Sequence, residues 1–244
     1  MRLPWVIAHR GACAVAPENT MAAFRRAVEM GVDCVETDLH ISRDGRLIIV
    51  HDATLTRTTS GDGLVKNFTF AELRELDAGR WFAPEFEGER LPAMEELLDL
   101  AGQTDLGLYL EIKGGAGYGV ERAVISALRG RKEAKASVVL CFDASVLERI
   151  HQLDRLLMTG LLFESGGEDM VREAVRVGAR QIAPRGDCVT PELLADAHRR
   201  GLKVVTWTIN EPSQMRALAL MGVDGIMTNH ADRLIAVRDT LPPK

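Results

Sequence analysis

Two carboxylates and a histidine lie close together in one short stretch of this sequence. Glu36 and Asp38 are two positions apart in a run of strand-forming residues, so both side chains point to the same face of an extended strand. The chain then turns at Asp44-Gly45, a pair typical of β-hairpins, and a two-residue turn there would set His51 opposite Asp38. Carboxylates and an imidazole that converge in this way have the composition of a metal-assisted acid/base site.

A further acid and a base stand at the end of the next predicted strand. Glu111 and Lys113 share one face by the same period of two. Three carboxylates with no cysteine cluster beside them suit a hard cation such as Mg²⁺, Ca²⁺ or Mn²⁺ rather than zinc. We therefore predict that Glu36, Asp38 and Glu111 hold one divalent cation, Mg²⁺ or Ca²⁺. The alternative, three ordinary surface or ion-paired acids, is disfavoured because inward-facing carboxylates without partners are costly to bury.

Two histidines fall at the mouth that these strands would form. His9 follows the first predicted strand, and His51 ends the returning arm of the hairpin. Imidazole gains and loses its proton near neutral pH, so one ring could take a proton from an attacking oxygen while the other gives one to a leaving alkoxide. The division of these roles stays open at this point, and so does the simpler explanation of each residue as a packed or solvated histidine.

Four side chains are candidates for substrate contacts. Arg10 and Lys113 place positive charge beside the predicted ion, where a phosphate diester would bind, although Lys113 could equally be an ion-pair partner of the acids. Asn19 either caps the helix that follows it or turns its amide toward the ligand. Trp207 either lines the site or packs inside the barrel.

The composition excludes several classes of protein. The chain has 244 residues, a formal net charge of -5 and no run of Lys or Arg, so we expect a small-molecule substrate and no nucleic-acid partner. No apolar run approaches the roughly 18 residues of a membrane span, which predicts no integral membrane association. The four cysteines are scattered, and the apolar run at the N-terminus is short, which predicts a cytoplasmic location. The oligomeric state is left open.

Short β-rich runs alternate with amphipathic helical stretches along the chain. The strand candidates are Trp5 to Ala8, Cys34 to Ile41, Leu106 to Ile112, Ser137 to Phe142, Leu156 to Phe163, Arg180 to Ala183, Lys203 to Thr208 and Gly225 to Thr228. The helix candidates are Met21 to Met30, Ala93 to Ala101, Tyr118 to Arg129, Ala144 to Asp154, Glu168 to Val177, Pro191 to Arg200, Pro212 to Met221 and Asp232 to Asp239. Because parallel strands need helical crossovers, eight such units predict an α/β fold, a (β/α)8 TIM barrel, as a single domain over residues 1–244.

Two segments are additional to these units. The returning arm of the hairpin, Leu47 to His51, is surplus to the barrel strands. Residues 52–92 are too long for a bare loop and too rich in aromatic residues for a disordered one. We predict that they form a small inserted subdomain after the second-strand hairpin, packed over the active-site end of the barrel.

Seven short blocks join these candidates into one ordered pattern. They are His9-Arg10-Gly11, Pro17-Glu18-Asn19-Thr20, Glu36-Thr37-Asp38, Asp44-Gly45, His51-Asp52, Glu111-Ile112-Lys113 and Thr206-Trp207-Thr208-Ile209-Asn210. In their order and spacing the chain resembles the glycerophosphodiester phosphodiesterase family from about Trp5 to Leu234. One departure is Asn229-His230-Ala231, which replaces the Thr-Asp-x-Pro motif common after the eighth strand.

The resemblance implies a (β/α)8 barrel that uses a divalent cation to hydrolyse glycerophosphodiesters, such as glycerophosphocholine or glycerophosphoethanolamine, to sn-glycerol 3-phosphate and an alcohol. It places metal ligands at Glu36, Asp38 and Glu111, acid/base histidines at His9 and His51, and phosphate contacts at Arg10 and Lys113. Two alternatives stay open. One is a phosphodiesterase of lysophospholipase D type acting on lysophospholipids, and the other is a barrel that binds phosphorylated ligands without turnover.

Overall fold

A closed ring of eight parallel strands forms the centre of the molecule. The computed structural model describes residues 3–114, 119–167 and 169–242. The strands are β1 (Trp5–Ala8), β2 (Cys34–Ile41), β3 (Leu47–Ile49), β4 (Gly107–Ile112), β5 (Ser137–Cys141), β6 (Met158–Phe163), β7 (Gln181–Pro184), β8 (Lys203–Thr206) and β9 (Gly225–Thr228). All but β3 run parallel in the order β1-β2-β4-β5-β6-β7-β8-β9, and the pairing of β9 with β1 closes the ring. The predicted (β/α)8 TIM barrel is confirmed.

Helices alternate with the barrel strands along most of the chain. They are α1 (Met21–Glu29), α2 (Phe70–Arg74), α3 (Met94–Gln103), α4 (Val120–Leu128), α5 (Ala144–Leu153), α6 (Met170–Arg176), α7 (Pro191–Arg199), α8 (Pro212–Met221) and α9 (Ala231–Asp239). The predicted helices coincide with all of these except α2. Tyr118 and Glu168, the predicted first residues of α4 and α6, lie outside the described residues. Sequence reasoning misses α2, although Thr69 and Glu72 form the capping box that marks its start. Among the described residues, no helix has the length and apolar character to traverse a bilayer.

The inner and outer faces of the barrel strands bury different partners. Inside the barrel, Ile7 and Tyr109 belong to an apolar layer that fills the ring. On the outside, Val35 and Leu110 belong to the larger cluster packed beneath the helices. Because side chains alternate along a strand, the residue after Tyr109 on the same face of β4 is Glu111. The inner face therefore changes from apolar to acidic toward the carboxyl end of this strand.

The hairpin between β2 and β3 differs from the prediction by one residue of register. The backbone N–H of Val50 donates to the carbonyl oxygen of Asp38 at 3.1 Å, in the place expected for His51. The cause is a loop of residues 43–45 in place of a two-residue turn, ended by Gly45 in the left-handed region at φ 79°. The expected cross-strand pair of Asp38 and His51 is therefore wrong, because a slip of one residue exchanges the faces of a strand.

Residues 52–92 depart from the alternation of strand and helix. Besides α2, they contain short 3₁₀ helices at Val65–Asn67 and Pro84–Phe86. Their buried side chains, among them Leu55 and Leu73, pack with the returning hairpin arm in a cluster separate from the two clusters of the barrel. This cluster attaches the segment to β3.

Candidate active site

Three carboxyl groups meet inside the mouth of the barrel. Strand β2 supplies Glu36 and Asp38, strand β4 supplies Glu111, and the parallel register sets Asp38 beside Glu111. One oxygen of each group lies within 4.8 Å of the others, and all three residues are buried. The structure thus brings together the three acids that the sequence predicts as metal ligands.

Two cationic side chains lie against these acids. The Nζ atom of Lys113 is 2.6 Å from Oε1 of Glu111 and 3.0 Å from Oδ1 of Asp38, and Nε of Arg10 is 3.4 Å from Oδ2 of Asp38. Burial alone would raise the pKa of Asp38, but the charges of Lys113 and Arg10 outweigh it and hold that pKa below its usual value. Burial and the charge of Asp38 raise the pKa of Glu111 to about 7, and the same causes raise the pKa of Glu36. Further positive charge would therefore favour the ionised form of both glutamates.

The acid cluster fits a hard divalent cation. Oε2 of Glu36 accepts a hydrogen bond from the backbone N–H of Arg10 at 3.0 Å, but its buried Oε1 has no hydrogen-bond partner in the described part of the chain. A buried carboxylate oxygen without a partner is costly, and ligation to a cation would satisfy it. A donor set made only of oxygen suits Mg²⁺ or Ca²⁺ better than zinc.

His9 follows β1 and lies beside the acids. Its Nε2 is 3.8 Å from Oε2 of Glu36, and its Nδ1 is 2.7 Å from Oδ1 of Asn229. With that amide oxygen as the acceptor, Nδ1 carries the hydrogen, and Nε2 is the nitrogen left to exchange a proton. Burial, followed by the charge of Arg10, lowers the pKa of His9 to about 4. The ring is therefore neutral at pH 7.

His51 lies just beyond β3, at the same cavity as His9. Its Nδ1 is 2.6 Å from Oδ1 of Asp52. A hydrogen bond from Arg57 is the largest cause of a pKa of Asp52 well below its usual range, so this carboxylate stays ionised and only accepts. The His51 Nδ1 consequently donates to Asp52, which leaves Nε2 as the other polar atom of the ring.

The loop after β1 aims Arg10 at the acids. Arg10 and Gly11 both lie in the left-handed region, at φ 57° and 78°. A Cβ atom at Gly11 would meet the Cβ of Ala23 at 2.8 Å, so glycine lets this loop approach α1 closely. The backbone N–H of Arg10 then donates to Glu36, and its guanidinium donates to Oε1 of Glu18 at 2.9 Å.

Asn19 is buried behind Asp38. Its amide donates to Oδ2 of Asp38 at 2.7 Å, and its carbonyl oxygen accepts from the hydroxyl of Thr37 at 2.8 Å. The cap of α1 is Thr20, whose hydroxyl oxygen accepts from the backbone N–H of Ala23. The alternative of Asn19 as the helix cap is therefore wrong, and its amide instead donates to a carboxylate of the site.

One cavity of about 270 Å³ joins these groups. The polar residues that line it include His9, Arg10, Glu36, His51, Glu111 and Lys113. Its apolar lining includes Trp207 and Phe142, whose rings meet edge to face with centroids 5.5 Å apart. The indole N–H of Trp207 also donates to the carbonyl oxygen of Ala183 at 2.7 Å. Trp207 thus lines the cavity and also packs in the barrel.

Three residues that sequence reasoning leaves without a role contact this site. Phe142 and Asn229 directly follow β5 and β9, at the carboxyl ends where TIM-barrel sites form. This position in the sequence is a signal from which both could be predicted as site residues. Asp52 directly follows His51. No signal in the spacing shows that Asp52, rather than Asp38, lies against the ring of His51.

The family of this chain is decided by a match over almost its whole length. Residues 9–233 match the model of the glycerophosphoryl diester phosphodiesterase family, and this range includes every residue of the site. The chain belongs to this family. It is therefore an enzyme, a phosphoric diester hydrolase, and the resemblance seen in the seven sequence blocks is confirmed.

Relatives in this family align with nearly the full chain. A glycerophosphodiester phosphodiesterase of Caldanaerobacter subterraneus subsp. tengcongensis is 37% identical over 232 residues, which cover 94% of this chain and 96% of that protein. One from Bacillus subtilis is 33% identical, covering 93% of this chain and 83% of that protein. Among solved structures, an Oleispira antarctica phosphodiesterase in complex with the product sn-glycerol-3-phosphate is 29% identical, with a TM-score of 0.91 over 98% of both chains. An Agrobacterium tumefaciens glycerophosphodiester phosphodiesterase is 25% identical, with a TM-score of 0.84 over 96% of this chain and 100% of that one.

Proposed function

We propose that the protein hydrolyses glycerophosphodiesters, such as glycerophosphocholine or glycerophosphoethanolamine, to sn-glycerol 3-phosphate and an alcohol with one divalent cation, Mg²⁺ or Ca²⁺. The observation that carries this proposal is the convergence of three buried acids, two of which line one cavity together with two imidazoles and two cationic side chains. Family membership supports it, and so does the Oleispira antarctica relative, whose structure holds sn-glycerol-3-phosphate.

In this proposal Arg10 and Lys113 bind the phosphate group. Both side chains line the cavity and are 18% exposed, so each can turn from its carboxylate partners toward an oxygen of the diester. The guanidinium offers two parallel N–H donors, and the ammonium offers a mobile point charge. Glu36, Asp38 and Glu111 would hold the cation. When bound, the ion would supply positive charge that offsets the negative charge developing on the phosphate.

His9 and His51 divide the proton transfers. The lowered pKa of His9, about 4, keeps its ring neutral, which favours Nε2 of His9 as the acceptor of the proton from the attacking hydroxyl. His51, oriented by ionised Asp52, is then the donor to the departing alkoxide. The attacking hydroxyl belongs either to water or to C2 of the glycerol, and both routes use the same two rings.

We further propose that residues 52–92 are the inserted subdomain at the active-site end. Their separate buried cluster supports this, and so does Arg57, which donates to Asp52 and to Glu18 beside the site. We also propose that Asn19 acts by orienting Asp38, because its amide already donates to that carboxylate.

The direct test follows glycerol 3-phosphate release from glycerophosphocholine by the wild type, His9→Ala and His51→Ala. Each substitution should lower kcat by roughly 10²- to 10⁴-fold, the usual contribution of a positioned acid or base, with the melting temperature unchanged. His198→Ala is the matched control, because His198 pairs with Asp224 outside the cavity. Wild-type turnover in both active-site variants would contradict the proposal.

A second candidate substrate class, the lysophospholipids, is favoured by one observation. An apolar hollow of about 280 Å³ lies beside Lys113, lined by residues that include Ile41, Leu64 and Val65, and an acyl chain could enter it. The aromatic residues of the insert give no such support. Trp81 and Phe86 each pack edge to face against Phe82, and none of the three is among the described residues that line the cavity with His9.

We therefore expect glycerophosphocholine to be the better substrate of the two. Its kcat/KM should exceed that of lysophosphatidylcholine, because charged side chains line the cavity with the acids, whereas the apolar hollow is a separate pocket. The assay compares choline release from the two compounds at equal substrate concentration and with the same divalent cation at the same concentration. Faster release from lysophosphatidylcholine would favour the lipid substrate instead.

A further inference from the structure

Arg57 links two parts of the site that lie on different elements. It belongs to residues 52–92, outside the seven blocks of the sequence pattern, and its side chain is 44% exposed. We infer that Arg57 is a positioning residue for the reaction, one that fixes a proton-transfer histidine and a phosphate-binding arginine at the same time.

The guanidinium of Arg57 lies between two carboxylates. Its Nε donates to Oδ2 of Asp52 at 2.7 Å, and one terminal nitrogen donates to Oδ1 of Asp52 at 3.2 Å. The terminal nitrogens also donate to the two oxygens of Glu18, at 2.9 Å and 2.8 Å. All three nitrogens are engaged, and a planar fork of donors is the group that can hold two carboxylates in fixed orientations.

Each of these carboxylates holds a residue of the site with the same oxygen that Arg57 contacts. Oδ1 of Asp52 lies 2.6 Å from Nδ1 of His51, and Oε1 of Glu18 accepts from Arg10 at 2.9 Å. A continuous chain of contacts thus runs from His51 through Asp52, Arg57 and Glu18 to Arg10. Its two ends line the same cavity.

Arg57 also shares its positive charge between the two carboxylates. Burial would raise the pKa of Glu18, but the hydrogen bond from Arg57 and the charge of Arg10 hold it below its usual value, and Arg57 is the largest cause of the low pKa of Asp52. Both groups therefore stay ionised. Without Arg57, Arg10 would be the main counterion of Glu18, and Glu18 would draw the Arg10 side chain away from the phosphate. Asp52 would also lose the hydrogen bonds that fix the plane of its carboxylate against His51.

Loss of Arg57 should therefore act on kcat more than on KM. The Arg57 contacts described above are all to carboxylates of the protein, and the proton transfer by His51 matters only in the transition state. A displacement of reacting groups by about 1 Å costs on the order of 10²-fold in rate. We expect kcat of Arg57→Ala to fall by roughly 10- to 100-fold, with a smaller rise in KM.

The experiment measures kcat and KM for glycerophosphocholine in Arg57→Ala and Arg57→Lys, with Arg80→Ala as the control. Arg80 lies in the same segment and pairs with Glu87, where it is 72% exposed. Because Arg57 is itself accessible, guanidinium added at millimolar concentration should enter the space left in Arg57→Ala and restore part of kcat. Lysine keeps the charge but cannot fork to two carboxylates, so Arg57→Lys should stay impaired.

A purely structural role predicts a different pattern. It would lower the melting temperature of Arg57→Ala well below that of Arg80→Ala, and added guanidinium would restore nothing. Either that pattern or unchanged kcat in Arg57→Ala overturns the inference. The inference rests on the proposed function, and the two fail separately: a wild type that releases no glycerol 3-phosphate contradicts both, whereas an active wild type with an unaffected Arg57→Ala overturns only the role of Arg57.

Discussion

At the scale of single residues, the site depends on side chains that hold its carboxylates in place. Asn19 is 2% exposed, and its amide donates to the same oxygen of Asp38 that faces Arg10. The carbonyl oxygen of that amide is fixed in turn by Thr37. Partners of this kind set the direction in which a metal-binding carboxylate presents its lone pairs.

Asn19→Ala should therefore weaken cation binding more than substrate binding. Loss of such a partner typically costs about 10- to 100-fold in metal affinity or activity, and we expect this range for Mn²⁺ or Mg²⁺ titrated by calorimetry. Asn67→Ala, at an exposed position, serves as the control. Unchanged cation affinity with a raised KM would instead place Asn19 on the substrate.

The sequence predicts which residues meet at this scale, but not which hydrogen bonds they make. The period of two puts Glu36 and Asp38 on one face of β2, and the pairing of β2 with β4 then brings Glu111 beside them. It cannot reveal Asn229 as the partner of His9, because the two are 220 positions apart and their contact depends on closure of the ring.

At the scale of elements, the hairpin shows where sequence reasoning fails. Asp44-Gly45 predicts a turn correctly, yet the pair is compatible with two-residue and three-residue loops. The structure uses three residues, with Gly45 at φ 79°, and the register shifts by one. His51 still lines the cavity because it lies beyond the last residue of β3, where strand alternation no longer fixes its direction.

The opposite end of the barrel carries charge that serves stability. Asp224 directly precedes β9, and its carboxylate accepts from Lys203 at 2.7 Å, from the backbone N–H of Val204 at 2.9 Å and from His198 at 2.8 Å. Burial would raise the pKa of Asp224, but these contacts outweigh it and lower the pKa. The carboxylate thus joins the start of β8 to the start of β9.

Asp224→Asn should lower stability without changing turnover. Removing the charge weakens three contacts, which we expect to cost about 1–3 kcal/mol of unfolding free energy at pH 7. A lowered pKa in the folded state gives stability that is present above the unfolded value near 3.9 and is lost as the pH falls below it. The difference between wild type and variant in denaturant titrations should therefore shrink below about pH 4. A difference that stays constant down to pH 3 would contradict this account.

At the scale of the whole molecule, the sequence predicts the barrel more fully than it predicts residues 52–92. Alternation of strand and helix predicts the closed fold, because parallel strands that need helical crossovers and lack free edges have few other solutions. The internal organisation of residues 52–92 is less predictable. Their short helices and turns follow no single period, and their packing on the hairpin arm is a contact that only the folded chain defines.

Cation dependence tests the central claim most directly, namely that Glu36, Asp38 and Glu111 gather one divalent ion on which hydrolysis depends. The measurement is glycerol 3-phosphate release from glycerophosphocholine by wild type and Glu36→Gln, after treatment with EDTA and during titration with Mg²⁺ or Ca²⁺. We predict that EDTA abolishes wild-type turnover, that one ion per chain restores it, and that Glu36→Gln needs far higher cation concentrations. Full turnover of the wild type in EDTA would contradict the account.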